Sequence, residues 1–144
     1  MSIVQTWRWE FYGFESMSDG PVVQVWFNGL SQEARDEIAD IFQSLQLVTA
    51  RRWKRPEFDP LEGEGGISEV RPADIRCDAG CLTYRVYGYF GANSHQYTLL
   101  HGTTKLLRND IHGKRIAKER LARIERGDAT VHKFDFETGP NTAA

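Results

Sequence analysis

Between residues 67 and 105, three runs rich in β-branched and aromatic side chains are separated by two short turns. No other stretch constrains the fold as much. Ile67 to about Arg76 precedes Asp78-Ala79-Gly80, Cys81 to Phe90 precedes Gly91-Ala92-Asn93-Ser94, and His95 to about Thr104 completes the series. Turns of this kind between such runs predict antiparallel hairpins, and so a β-meander. In the middle run Leu82, Tyr84, Val86, Gly88 and Phe90 fall on one face, with Thr83, Arg85, Tyr87 and Tyr89 on the other. Arg85 is therefore expected away from the core, among polar and aromatic neighbours.

The flanking segments supply helices. Ile3 to Phe14 has the period of a half-buried strand, its odd positions apolar and Arg8 and Glu10 between them. Pro21 can open a short helix ending at Asn28 before Gly29, although Val22, Val23 and Val25 suit a strand equally well. Ser31 is a good N-cap for the clearest helix, in which Ala34, Ile38, Ile41, Phe42, Leu45 and Val48 recur at three- and four-residue steps. Pro56 to Gly66 reads as an irregular connection. A further helix is predicted from about Asn109 or Gly113 to Arg126, with Ile116, Leu121 and Ile124 as its apolar stripe and Gly127 as its stop. A strand over Val131 to Phe136 and a fraying tail from about 137 follow. The expectation is a single α+β domain over residues 1–144, an antiparallel meander packed against two or three helices.

Composition narrows the function classes. With 144 residues and 40% apolar content, the chain can bury roughly 70% of its unfolded surface without disulfides or metals. Arg8 and Glu10 interrupt any signal-like apolar stretch, and no segment approaches the ~20 apolar residues of a membrane span. A soluble cytoplasmic protein is expected. Cys77 and Cys81 flank the first turn and read as a reduced pair, while the scattered His95, His101, His112 and His132 do not supply a zinc site. The formal charge of −2 is uneven: net −5 over residues 1–50 and net +3 over residues 51–144. Residues 101–126 hold eight Lys or Arg against Asp110, Glu119 and Glu125, a local balance compatible with nucleic acid and equally with a solvated helix face.

The chemistry lies where the strand-like runs end in cations. Ile67-Ser68-Glu69-Val70-Arg71, Leu82-Thr83-Tyr84-Arg85-Val86 and Leu99-Leu100-His101-Gly102-Thr103-Thr104-Lys105 each carry one. Cations on rigid neighbouring strands can hold a phosphodiester and stabilise the charge that appears when it is attacked. Arg is well suited, because its fork binds two phosphate oxygens and stays charged. Glu69 is the only carboxylate in these motifs and the candidate base, although adjacent cations would weaken it in that role. His101 is a second proton-transfer candidate near neutral pH. Arg71 could instead form a structural ion pair with Glu69 or Asp74. Arg51, Arg52, Lys54 and Arg55 could contact RNA phosphates, with Trp53 stacking on a base; alternatively the cations favour a helix end and Trp53 packs in the core.

Taken in order, Trp53-Lys54-Arg55-Pro56-Glu57-Phe58-Asp59-Pro60-Leu61, Gly66-Ile67-Ser68-Glu69-Val70-Arg71, Tyr84-Arg85-Val86-Tyr87 and Leu99-Leu100-His101-Gly102-Thr103-Thr104-Lys105 resemble the phage-derived HigB-like branch of the RelE/ParE toxin superfamily. The resemblance covers roughly residues 22 to 126. It implies a RelE-like fold and the toxin of a two-component toxin–antitoxin module, which cuts translated mRNA without a metal or cofactor and is neutralised by a cognate antitoxin. By motif position it implies Arg85 as the transition-state cation, Arg71 beside it, Lys105 as a phosphate contact or proton donor, and Glu69 and His101 in proton transfer. Tyr87 and Arg108 join Arg51, Arg52, Lys54 and Arg55 as expected RNA contacts. One difference stands out: the branch often has two consecutive basic residues after the His-Gly strand, where Thr103 and Thr104 here precede a single Lys105. The same fold also serves non-catalytic binding, as in gyrase poisons or phage-derived inhibitors of a host factor.

Overall fold

The computed structural model describes residues 8–47, 53, 58–71, 75–77, 80–91, 93–105 and 110–136, with the backbone alone for 75–77, 80–83 and 105. The chain runs β1 (Glu10–Glu15), α1 (Val22–Asn28), α2 (Gln32–Gln46), β2 (Phe58–Pro60), β3 (Ser68–Val70), β4 (Ile75–Cys77), β5 (Gly80–Phe90), β6 (Gln96–Lys105), α3 (Ile111–Arg126) and β7 (Thr130–Lys133). The described residues form an α+β fold, three helices on a mixed, mostly antiparallel sheet. Six strands lie in the order β2-β3-β5-β6-β1-β7, and β4 pairs with the start of β5.

Local chemistry sets the helix ends. Pro21 precedes α1, and Gly29 receives its last turn. The Ser31 hydroxyl accepts a hydrogen bond from the Ala34 N–H at 3.2 Å, and Ala34, Ile38, Phe42 and Leu45 face inward along α2. Asp110 caps α3 by accepting from the Gly113 N–H at 3.0 Å, and Gly127 closes it in the left-handed region. The α3 stripe is built from Gly113, Ala117 and Leu121, with Ile124 packed alongside. Ile116 is only partly buried.

The sheet departs from the expected plain meander in four ways. β1 pairs in parallel with β6, Phe11 opposite Tyr97, which makes the sheet mixed. β1 begins at Glu10 and not at Arg8, with Ile3 to Trp7 of its alternating run outside the described residues, and Phe14 is buried on the opposite face from Phe11 because helices cover both sides. The connection over Pro56 to Gly66 contains β2, held by Phe58 in the core and by pairing with β3. The run from Ile67 to Arg76 is two strands, β3 and β4, with Pro72, which has no N–H to donate, between them in the sequence. In the β4–β5 hairpin Cys77 lies opposite Gly80 and Cys81 opposite Arg76, so the two cysteines do not face each other across the ladder.

One face of the sheet packs on α1 and α2 through an aromatic core. Phe11, Phe42, Trp53, Phe58, Val70, Val86, Tyr97 and Leu99 are buried there. Phe42 stacks on Phe136 at 4.9 Å between ring centroids and meets Phe11 edge-on at 5.0 Å. Pairs of this geometry each contribute about 0.5–1.5 kcal/mol beyond area burial. Trp53 is buried in this core and donates its indole N–H to the Leu45 carbonyl at 2.9 Å, so it is not free to stack on a base. The second, smaller cluster lies under α3: Ile67, Tyr87, Leu100, Ala117 and Leu121.

Candidate active site

Strand register assembles the site on the α3 side of the sheet. Glu69 of β3 lies opposite Tyr87 of β5, and on the far side of Tyr87 lies His101 of β6. Asp59 of β2 is opposite Glu69, and Thr103 is opposite Arg85. Because Phe58, Val70 and Val86 point into the aromatic core, their neighbours Asp59, Glu69, Arg85 and Tyr87 point the other way.

His101 reaches this face only because the ladder is irregular. Simple alternation from the core residue Leu99 would send His101 into the core as well. A register shift at Tyr87/Gly88 leaves Leu100 unpaired, so that Leu100 and His101 both lie on the α3 side. The His101 ring lies parallel to that of Tyr87, 4° apart in plane at 6.3 Å. Gly102 then returns to the other face, so close to Trp26 that any Cβ would collide with the indole.

The charged groups are mutually compensating. Glu69 Oε2 lies 3.4 Å from Arg85 Nε, and Glu69 Oε1 lies 3.5 Å from Arg71 Nε, so one buried carboxylate bridges two guanidinium groups. Asp59 Oδ2 is 3.9 Å from the outer edge of Arg71. The inner contacts are ion pairs without hydrogen-bond geometry: Glu69 Oε2, Arg71 Nε and Arg85 Nε are buried and make no hydrogen bond. Buried polar atoms left in this way cost free energy relative to a fully satisfied network. The three groups differ in access. Glu69 and Arg85 are buried, whereas the Arg71 side chain is 34% exposed.

Tyr87 and Arg120 hold the site from beneath and beside. Tyr87 is fully buried and donates its hydroxyl to Asp110 Oδ2 at 3.0 Å. Burial pushes its phenol well above the ordinary tyrosine value, against a smaller opposite pull from Arg85. Expected as an RNA contact, Tyr87 instead lies under the surface as a support. Arg120 donates to the Leu100 carbonyl at 2.9 Å and lies 3.3 Å from His101 Nδ1, with its guanidinium over the Phe14 ring at 5.3 Å. Burial lowers the Arg120 pKa. Arginine has only donors, so Nδ1 is the accepting nitrogen and the proton of a neutral His101 resides on Nε2.

Arg71, Arg85, Glu69, His101 and Tyr87 are thus brought together. Lys105 stands on β6 opposite Thr83, two residues beyond Thr103, with its backbone alone described. Arg51, Arg52, Lys54, Arg55 and Arg108 lie outside the described residues. Asp59, Asp110 and Arg120 were not foreseen. Only Asp110 had a sequence signal, as an acidic residue immediately before a helical run.

Among the described residues, no three His, Cys, Asp or Glu side chains gather as they would to hold a metal ion, and no helix is long and apolar enough to cross a membrane. Comparison with family models, with curated proteins and with solved structures finds no match.

Proposed function

We propose that this chain is the toxin of a type II toxin–antitoxin module, a metal-independent endoribonuclease of the RelE/ParE superfamily and its HigB-like branch, acting in the cytoplasm on translated mRNA. The observation that carries the reading is the register that gathers Arg71, Arg85, Glu69 and His101 from three strands onto one face. The order of elements lends support: a strand, two helices, antiparallel strands and a helix, in the sequence of the motifs that carry the resemblance.

In the proposed reaction the ribose 2′-hydroxyl attacks the adjacent phosphorus, its proton passes to a base, and the leaving 5′-oxygen is protonated. Negative charge builds on the non-bridging oxygens meanwhile. Arg71 is the cation that a phosphate meets first, with Arg85 below it. A phosphate bound to both competes with Glu69 for them and so loosens the carboxylate, which then serves as base. His101, its proton on Nε2, donates a hydrogen bond to the leaving oxygen, which takes its proton from water. Lys105 takes the further phosphate contact. A cognate antitoxin neutralises the toxin by covering this face.

Controlled expression with mapping of transcript ends tests the reading. Growth arrest and new 5′ ends within translated mRNA are expected, and both should be lost in Arg85→Ala. Arrest with intact transcripts would overturn it. A second reading, binding without chemistry, draws on the burial of Arg85 and its pairing with Glu69. Double-strand breaks in a gyrase assay, or a stoichiometric protein partner with unaltered RNA, would favour that alternative.

A further inference from the structure

Beside the first turns of α3, a cavity of about 440 Å³ opens between the helix and the β2–β3 connection, lined by Glu64, Ile111, Lys114, Arg115 and Lys118. Three cations face one carboxylate there. Lys114 and Lys118 are four residues apart and so share one side of the helix. Ile111, 61% exposed, adds an apolar patch at the same opening. An ion pair spans the cavity, Lys118 Nζ to Glu64 Oε1 at 3.2 Å, with the lysine half exposed. Exposed pairs of this kind are weak and yield readily to a competing anion.

The position of the cavity gives it a meaning. Gly113 packs so closely that a Cβ there would meet the Asp110 carboxylate and the Tyr87 ring, and Tyr87 lies opposite Glu69 and two residues from Arg85. The turn of α3 that packs on Tyr87, beneath the candidate active site, is thus the turn that presents Lys114 and Arg115 to the cavity. We infer that the cavity is a second nucleotide subsite. RNA backbone leaving the Arg71–Arg85 face lays its phosphates against Lys114, Arg115 and Lys118, and a base or ribose against Ile111. Glu64 acts as a gate, occupying Lys118 until a phosphate displaces it. The inference deepens the preceding proposal and rests on it for the nature of the polymer.

The test is fluorescence anisotropy of the full chain with a 2′-O-methyl RNA oligonucleotide, which can bind but cannot be cut, over a series of salt concentrations. Combined Lys114→Ala, Arg115→Ala and Lys118→Ala substitution should weaken binding by about tenfold and lower the log–log salt slope by about 0.7 for each phosphate that the variant no longer neutralises. Glu64→Gln should tighten binding severalfold, a change that a purely structural Glu64–Lys118 pair would not give. Binding within twofold of the unsubstituted chain and an unchanged slope, in a triple variant with native circular dichroism, would overturn the subsite. So would polyglutamate displacing the RNA as well as unlabelled RNA of equal charge, since that marks a site for acidic protein segments. The two proposals fail separately. Cuts lost in Arg85→Ala with a silent triple variant remove only the subsite, whereas binding lost in the triple variant of a chain that never cuts RNA supports the subsite and removes only the nuclease.

Discussion

The two faces of the sheet solve opposite problems with the same strands. Toward α1 and α2, alternate residues of β1, β2, β3, β5 and β6 contribute Phe11, Phe58, Val70, Val86 and Tyr97 to an apolar core in which burial and packing act in the same direction. Toward α3, the intervening residues of β2, β3 and β5 place Asp59, Glu69 and Arg85 on or under the surface, where Glu69 Oε2 and Arg85 Nε are buried and make no hydrogen bond. The first face accounts for why the chain folds. The second costs stability, since an ion pair of this burial is commonly no better than a well-packed apolar pair. The proposed reaction with RNA gives such a cluster a reason to persist on otherwise favourable strands.

The sharpest way to break this contrast is to damage each face once. Phe42→Ala, which removes a ring packed against Phe11, Tyr97 and Phe136, should lower unfolding free energy by about 3–5 kcal/mol in urea titration. A loss below about 1 kcal/mol would show that the aromatic face is not the main source of stability. Glu69→Ala leaves two guanidinium groups without their shared carboxylate. It should cost about 3 kcal/mol, toward the lower end of the range for a broken buried pair because Arg71 can turn to solvent. Asp110→Ala removes both the α3 cap and the acceptor for Tyr87, and a loss of about 2 kcal/mol is expected.

A smaller effect separates the faces by pH. Tyr97 in the aromatic core and Tyr87 in the site both have phenols raised by burial. Their folded values lie above the unfolded one, so the stability they contribute is complete below about pH 10 and is lost as pH rises through the folded values. Urea midpoints from pH 8 upward should be level to about pH 9.5 and then fall. In Tyr87→Phe and Tyr97→Phe the fall should be shallower, and an unchanged alkaline limb in both would contradict the assignment.

How much of this was legible in the sequence depended on whether the cause was local. The α2 helix was readable because Ser31 and the three- and four-residue spacing from Ala34 to Leu45 are properties of one segment. The face assigned to Arg85 was readable for the same reason, since alternation along β5 needs no partner. The shape of the site required partners. β2 is three residues long, ends in proline and exists only because Phe58 and β3 hold it, so nothing in its own sequence marks it as a strand. The parallel contact of β1 with β6 joins segments some 85 residues apart. His101 shares parity with Leu99, and only the shift at Tyr87/Gly88, a property of the pairing, takes it to the other face. The sequence suggests one sheet face carrying several cations, with an ion pair to Glu69 or Asp74 open to Arg71. In the structure Arg71 does take the ion-pair alternative with Glu69, and Arg85 shares that carboxylate beneath it.

The central claim is that the α3 face holds its charges for reaction with RNA and not for stability. The most direct measurement is the rate of mRNA cleavage in a translation extract by the folded double variant Glu69→Met, Arg85→Leu, compared with the unsubstituted chain. The account predicts that cleavage falls at least a hundredfold, on the scale of losing one transition-state donor, while unfolding free energy stays level or rises by about 1–4 kcal/mol. Cleavage at the same sites within about threefold of the unsubstituted rate, with both charges gone, would contradict it.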